Sequence, residues 1–417
     1  MSPESIRMIH LADLHIGTTR NSSLRFKAGE QFSGRSVGGR YVRQVDLEQA
    51  VEWLIQTLPN QQPNVDIVVI AGDLFDTCVP PPRAIRYVTL LIKSLTDAKI
   101  ETVIIDGNHE YSSDVHVDSP TTYLRELGAH VINGRNFEIV QGDQWQLNSR
   151  LRDRLVVTAL PYRALKSNTT AIVPLKGYLN VLVTHGRVGR DGPNTLGKHD
   201  VVEVPSSLIC KNWDYVALGD WHVHRLQPIE NVPAYYAGSL EALTFSEATQ
   251  YPARTKDENA IRGPIDLLFY PGQKVKISSL EYKQRRPVLR LDTIDAANLN
   301  ATDLTKMIAQ SLDQTFSPEA LILLDIDNCS SDLWHNLEHS RLKLLRERVR
   351  RCDIRWNKPP ETSQSEENQP EATLETQWAN FLADQSLPNP EWYQAEGLAL
   401  LEKAKEEVQR RLDNEQI

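Results

Sequence analysis

The chain has 417 residues, 40% of them hydrophobic, and a formal net charge of −9. That length excludes one ordinary core and predicts two or three domains. No apolar run approaches the ~20 residues of a membrane span, and the negative total excludes a uniformly basic nucleic-acid coat. Cys78, Cys210, Cys329 and Cys352 are widely separated and form no C-x-x-C pair, which excludes a zinc ribbon or a redox motif built on one. Met1 to Arg7 carry no apolar stretch and no small-residue cleavage site, so the expected location is cytoplasmic.

Residues 6–12 read as a strand. Residues 18–43 are rich in Gly and Ser and read as a loop. This loop carries six basic side chains (Arg20, Arg25, Lys27, Arg35, Arg40, Arg43) against one acid, Glu30. Val45, Leu47, Val51, Leu54 and Leu58 mark an amphipathic helix over 44–58. The apolar run 66–71 suits a buried strand. A helix over 83–98 and a strand over 101–105 follow, and this alternation predicts an α/β fold. Further strands are expected at 155–159, 179–184 and 215–218, with more sheet at 232–240 and 265–282. A second unit reads as strand 287–292, helix 302–313, strand 319–326, helix 332–348 and strand 350–356, a small α+β domain. Residues 357–373 are rich in Pro, Glu, Ser and Gln and predict a disordered linker. Two helices are expected after it, over 374–383 and 390–412. The expected domains are therefore 1–282, 283–356, the linker 357–373 and a helical element 374–417.

Five short motifs each follow an expected strand: Asp13-Leu14-His15, Gly72-Asp73-Leu74-Phe75-Asp76, Gly107-Asn108-His109-Glu110, His185-Gly186, and Gly219-Asp220-Trp221-His222-Val223-His224. Carboxylate oxygen and imidazole nitrogen suit manganese-like divalent ions. An Asp-x-His pair in an extended segment would point both side chains to one face. Each motif alone has a bland reading, as a surface pair, a turn or a core histidine. Their order after successive strands of an α/β sheet points instead to one shared site at the strand ends.

That order resembles the calcineurin-like metallophosphoesterases. Asp73-Leu-Phe-Asp76-Thr77 with Pro80-Pro81, and the segment Tyr235-Tyr236-Ala237-Gly238-Ser239-Leu240-Glu241, resemble the SbcD-type DNA exonucleases of that superfamily. The resemblance implies a four-layer α-β-β-α sandwich with a small α+β capping domain and a C-terminal helical tail. It implies two divalent metal ions, most readily Mn²⁺, held by Asp13, His15, Asp73, Asn108, His185 and His222. It further implies His109 as the catalytic histidine that assists the leaving oxygen, a role suited to an imidazole that titrates near neutrality. Asp76 and Glu110 read either as carboxylates orienting a neighbouring histidine or as turn residues.

The fifth motif departs from the family's Gly-His-x-His. Either Asp220 replaces the first histidine beside His222, or two residues are inserted and His222 and His224 form the pair. The first register needs no insertion after the strand. The implied substrate is DNA, cut as a 3′→5′ exonuclease and an endonuclease, with Arg20, Arg25, Lys27, Arg35, Arg40 and Arg187 as candidate phosphate contacts. The implied partners are an SbcC-like coiled-coil ATPase, docked through 374–417, and a second copy of the chain; no membrane association is expected. Two other readings remain open: a metallophosphoesterase acting on a non-DNA substrate, and a non-catalytic scaffold for a repair ATPase.

Overall fold

The computed structural model describes residues 5–18, 42–112, 114, 116–142, 144–166, 172–188, 202–222, 225–226, 232–243, 263–282, 286–313, 318–349, 351–357, 373, 378–379, 382, 389 and 392–403. The chain divides into two compact units, residues 1–358 and 359–417. Among the described residues no helix is long and apolar enough to cross a membrane.

The first half alternates strand and helix: β1 (Ile6–Leu11), α1 (Val42–Thr57), β2 (Ile67–Ala71), α2 (Pro82–Asp97), β3 (Glu101–Ile105) and β4 (His130–Ile132). The second half adds β5 (Glu138–Val140), β6 (Leu155–Leu160), β7 (Leu179–His185), β8 (Arg187–Val188), β9 (Glu203–Val204), α3 (Ser206–Ile209), β10 (Tyr215–Gly219), β11 (Arg225–Leu226), β12 (Ala234–Tyr236), β13 (Ile265–Phe269) and β14 (Lys276–Ser279). Two six-stranded sheets result, in the orders β14-β13-β1-β2-β3-β4 and β11-β12-β10-β7-β6-β5. Within each, the central strands pair in parallel, with Met8 opposite Ile67, Ile67 opposite Glu101, and Tyr215 opposite Val181.

Period-2 alternation builds the layers. Met8, Ile67, Val69 and Val103 point between the sheets, where they meet Val157, Val181 and Ala217. Ile9, Val68, Ile70 and Ile104 point the other way and pack under Leu54, Val88 and Leu91 of α1 and α2. Leu182, Val216 and Leu218 cover the outer face of the second sheet together with Leu208 and Ile209 of α3. Strands buried on both faces explain why these segments read as unbroken apolar runs rather than as alternating ones. The fold is the expected α-β-β-α sandwich, and each fully buried Val, Leu or Ile contributes about 1.5–3 kcal/mol to holding it.

Residues 286–357 form a separate parallel sheet with its own core. It comprises β15 (Val288–Arg290), β16 (Ile294–Asp295), α4 (Ala301–Asp313), β17 (Leu321–Asp327), α5 (Ser331–His335), α6 (His339–Arg346) and β18 (Arg351–Trp356). The single helix expected over 332–348 is broken. Leu337 and Leu342 are both buried in this core, yet they would lie roughly 140° apart on a continuous helix. The break lets both turn inward. Arg286 ties this region to α1, donating from Nε to Asp46 at 3.0 Å.

In residues 359–417 the described helix spans 392–403. Trp378 packs against Gly397 so closely that a Cβ there would lie 2.3 Å from the indole Cε2. The C-terminal tail is therefore helical. The expected linker falls on residues that, apart from Asn357 and Thr373, lie outside those described.

Candidate metal centre

Because β1, β2 and β3 are parallel, their C-terminal ends share one edge of the first sheet. β7 and β10 end at the same edge of the second sheet. The five motifs occupy these ends. Backbone bonds join the first two motifs: Asp13 N–H donates to the Gly72 carbonyl at 3.1 Å, and His15 N–H to the Asp73 carbonyl at 2.9 Å.

Asp13 and His15 converge by a different route from the extended one expected. Their φ values are +54° and +45°, in the left-handed region, as are those of Asp73 (+51°) and Asp220 (+93°). The chain has left the strand here, and tight left-handed turns aim the side chains. Such backbone costs about 1–3 kcal/mol per residue and persists where the surroundings over-determine it. Two glycines make the close approach feasible. A Cβ at Gly107 would lie 2.2 Å from Asp73 Oδ1, and one at Gly219 would lie 1.9 Å from the Ala71 carbonyl oxygen.

The side chains that meet are buried acids and imidazoles. Asp13, His15, Asp73 and His222 bring one donor atom each within 4.8 Å of the others. His15 Nε2 lies 3.0 Å from His222 Nε2. Asp73 Oδ2 sits 3.5 Å from His15 Nε2 and 3.5 Å from His185 Nε2. On that second side, His185 Nε2 also faces Asn108 Oδ1 at 3.0 Å. His185 Nδ1 is 2.8 Å from the Ala71 carbonyl, so it donates there and Nε2 faces the centre.

The electrostatics are those of a site short of positive charge. Burial pushes the Asp13 carboxyl up against the pull of His222 and His185. Burial also acts to raise Asp73, but His185, His15 and His109 outweigh it and hold that carboxyl well below the usual range. Burial alone would lower His185; Asp73, Asp13 and Asp220 overcome it and raise its pKa well above the ordinary value.

Residues 6–224 match the calcineurin-like phosphoesterase family. The chain belongs to that family. Metallophosphoesterases bind divalent metals, and the Asp13–His15–Asp73–His222 cluster suits that role. A direct test of fit is Asp13 Oδ2, which is buried and has no hydrogen-bond partner among the described residues. Such an atom is costly unless a cation faces it.

Supporting residues of the metallophosphoesterase site fix its loops. Asp76 Oδ1 lies 3.2 Å from His15 Nδ1 and orients that ring. Glu110 touches no histidine nitrogen among the described contacts. Its carboxylate accepts the backbone N–H groups of Phe75 (2.7 Å), Gly107 (2.9 Å) and Asp73 (3.1 Å), lashing the second and third motifs together. The reading of Glu110 as a histidine-orienting group is thereby replaced: buried N–H groups of the two turns claim its oxygens. His109 is about a third exposed, with Nδ1 2.8 Å from the Asp76 carbonyl and Nε2 4.0 Å from Asp73 Oδ2.

Two positioning residues escaped sequence reasoning. Ser239 donates from N–H to the His222 carbonyl at 3.0 Å and from Oγ to the Glu241 carbonyl at 2.7 Å. The Tyr236 hydroxyl donates to the Gly186 carbonyl at 2.9 Å and accepts from Val188 N–H at 3.0 Å, bracing the turn after His185. Both lie in the segment 235–241, where the signal was a motif with no chemistry attached.

Asp220 directly follows β10, and its N–H donates to Asp13 Oδ1 at 2.9 Å. Its carboxylate takes an ion pair from Arg187 Nε at 3.0 Å. His224 lies outside the described residues, as do Arg20, Arg25, Lys27, Arg35 and Arg40. Arg43, the last base of that segment, is buried within α1 and paired with Asp46 and Glu241. It therefore does not belong to a solvent-facing basic stripe.

Proposed function

We propose that this chain is a two-metal DNA phosphodiesterase, a 3′→5′ exonuclease and endonuclease of the SbcD type. The observation that carries the two-metal part is Asp73 Oδ2, equidistant at 3.5 Å from His15 Nε2 and His185 Nε2. One carboxylate oxygen thus faces two donor groups. Asp13, His15, Asp73 and His222 would hold one ion, and Asp73, Asn108, His185 and Asp220 the other. The mixed oxygen and nitrogen donors favour Mn²⁺. Bound ions supply Lewis-acid polarisation of phosphoryl oxygens.

The protein's own part is positioning and proton transfer. The Asp76 carbonyl accepts from His109 Nδ1–H and so turns Nε2 toward Asp73 and the centre, where a phosphate would lie. Protonated there, His109 donates to the departing oxygen. The glutamate lashing of motifs two and three keeps Asn108 and His109 in register with Asp73.

DNA as substrate rests on the basic segment directly after the first motif and on the resemblance of 73–81 and 235–241. The same resemblance supports an SbcC-like ATPase docking on 374–417, a homodimer, and a role in DNA repair or recombination within the cytoplasm. The test compares Mn²⁺-dependent cleavage of linear duplex DNA with that of a small phosphodiester, for wild type and His109→Ala. Cleavage of DNA that collapses in His109→Ala is expected. Cleavage confined to the small diester would overturn the DNA reading, and DNA cleavage indifferent to His109 would overturn the mechanism.

A further inference from the structure

The two donor groups around Asp73 are unequal. One holds two carboxylates and two imidazoles, with donor atoms already facing one another. The other has Asn108 and His185 in place, but its remaining carboxylate, Asp220, is engaged elsewhere. A histidine at 220, the family's usual residue, would be neutral and would not attract an arginine. An aspartate does. Arg187 stands two residues beyond His185 on β8, tethered by its N–H to the Val202 carbonyl at 3.2 Å. From there its Nε donates to Asp220 Oδ2 at 3.0 Å. Both side chains are partly buried, 25% and 19% exposed, which strengthens the pair over a fully solvated one.

We infer that Arg187 is a built-in competitor of the second metal ion, holding Asp220 until that ion displaces it. This rests on the two-metal reading above. An ion that takes Asp220 through Oδ2 competes with Arg187 Nε–H for that oxygen, so the second ion binds more weakly than the first. Arg187 is thus a positioning residue acting through Asp220. Its displaced guanidinium remains tethered at the rim with a planar fork suited to phosphate oxygens. By reciprocity, an anion that draws Arg187 away strengthens the second ion's binding.

The test is calorimetric titration of the full chain with Mn²⁺ alone, with electron paramagnetic resonance to count spin-coupled pairs. Wild type is expected to show two unequal classes of site. Arg187→Gln should tighten the second class by about two- to fivefold, the strength of a partly exposed pair, and leave the first unchanged. Asp220→Asn should remove the second class. Asp220→His should restore it and make it insensitive to Arg187→Gln, which guards against a variant that merely misfolds. Two equal classes in wild type, or a second class unmoved by Arg187→Gln, would overturn this proposal alone. Failure to bind any ion would overturn the metal centre with it.

Discussion

The two sides of Asp73 are built from the strand ends of the same two sheets but are held differently. On one side Asp13, His15 and His222 crowd together, with two imidazole nitrogens 3.0 Å apart and Asp13 Oδ2 buried without a hydrogen-bond partner among the described residues. On the other, Asn108 and His185 wait while Asp220 answers to Arg187. The first side concentrates its electrostatic cost on groups that only a cation satisfies. The second has an internal counter-charge in Arg187. If Arg187 competes as proposed, an aspartate at this strand end tunes loading of the second side while the strands that carry it stay as they are.

The largest expected effect removes what the two sides share. Asp73→Ala should abolish Mn²⁺ binding on both sides and lower phosphodiester cleavage by more than about 10³-fold, read by calorimetry and initial rates. Loss of one class of site only would show that the oxygen is not shared. His109→Ala should leave both classes of metal site intact and lower kcat by about 10²–10⁴-fold, the usual worth of a general acid. A metal-binding defect of similar size would move His109 from proton donor to ligand.

Glu110→Gln probes how the sides are held together. Three N–H groups share two carboxylate oxygens, and an amide would turn an NH₂ toward at least one of them. A stability loss of about 2–3 kcal/mol in urea unfolding is expected, with weaker Mn²⁺ binding on the Asn108 side. Unchanged stability would show that the lashing does not matter. The smallest effect lies far from both sides. Burial alone would raise the Asp325 carboxyl, but Arg355 and Arg290 outweigh it and hold its pKa below the ordinary 3.8. A depressed carboxylate pKa contributes stability that is present above the unfolded value and lost as pH falls through the folded one. Asp325→Asn should therefore cost about 1 kcal/mol at neutral pH, and the gap from wild type should close below about pH 3.8. Metal binding on both sides should be unaffected; a change would couple 286–357 to the centre.

What the sequence made legible was whatever depends on neighbours along the chain. β3 could be read because five apolar-rich residues bounded by turns need no partner to be recognised. The five motifs could be read as spatial neighbours because each begins at, or within two residues of, the end of such a strand. β4 and β5 escaped because three-residue strands with half-polar composition carry no period. The left-handed turns at Asp13 and His15 escaped because contact with 72–75 imposes them. Glu110, Ser239 and Tyr236 act across 2 to 50 residues of chain on backbone groups, and backbone groups leave no mark in a sequence. The Arg187–Asp220 pair was half legible: the odd aspartate was visible, and the arginine stood in view as a phosphate contact, but their meeting required the fold.

Anomalous diffraction from a crystal of the full chain soaked in Mn²⁺ tests the central claim most directly. The account predicts two peaks flanking Asp73 Oδ2, about 3.5–4 Å apart, the one beside Asn108 and His185 appearing only at higher Mn²⁺. A single peak at every concentration, or none beside Asp73, would contradict it.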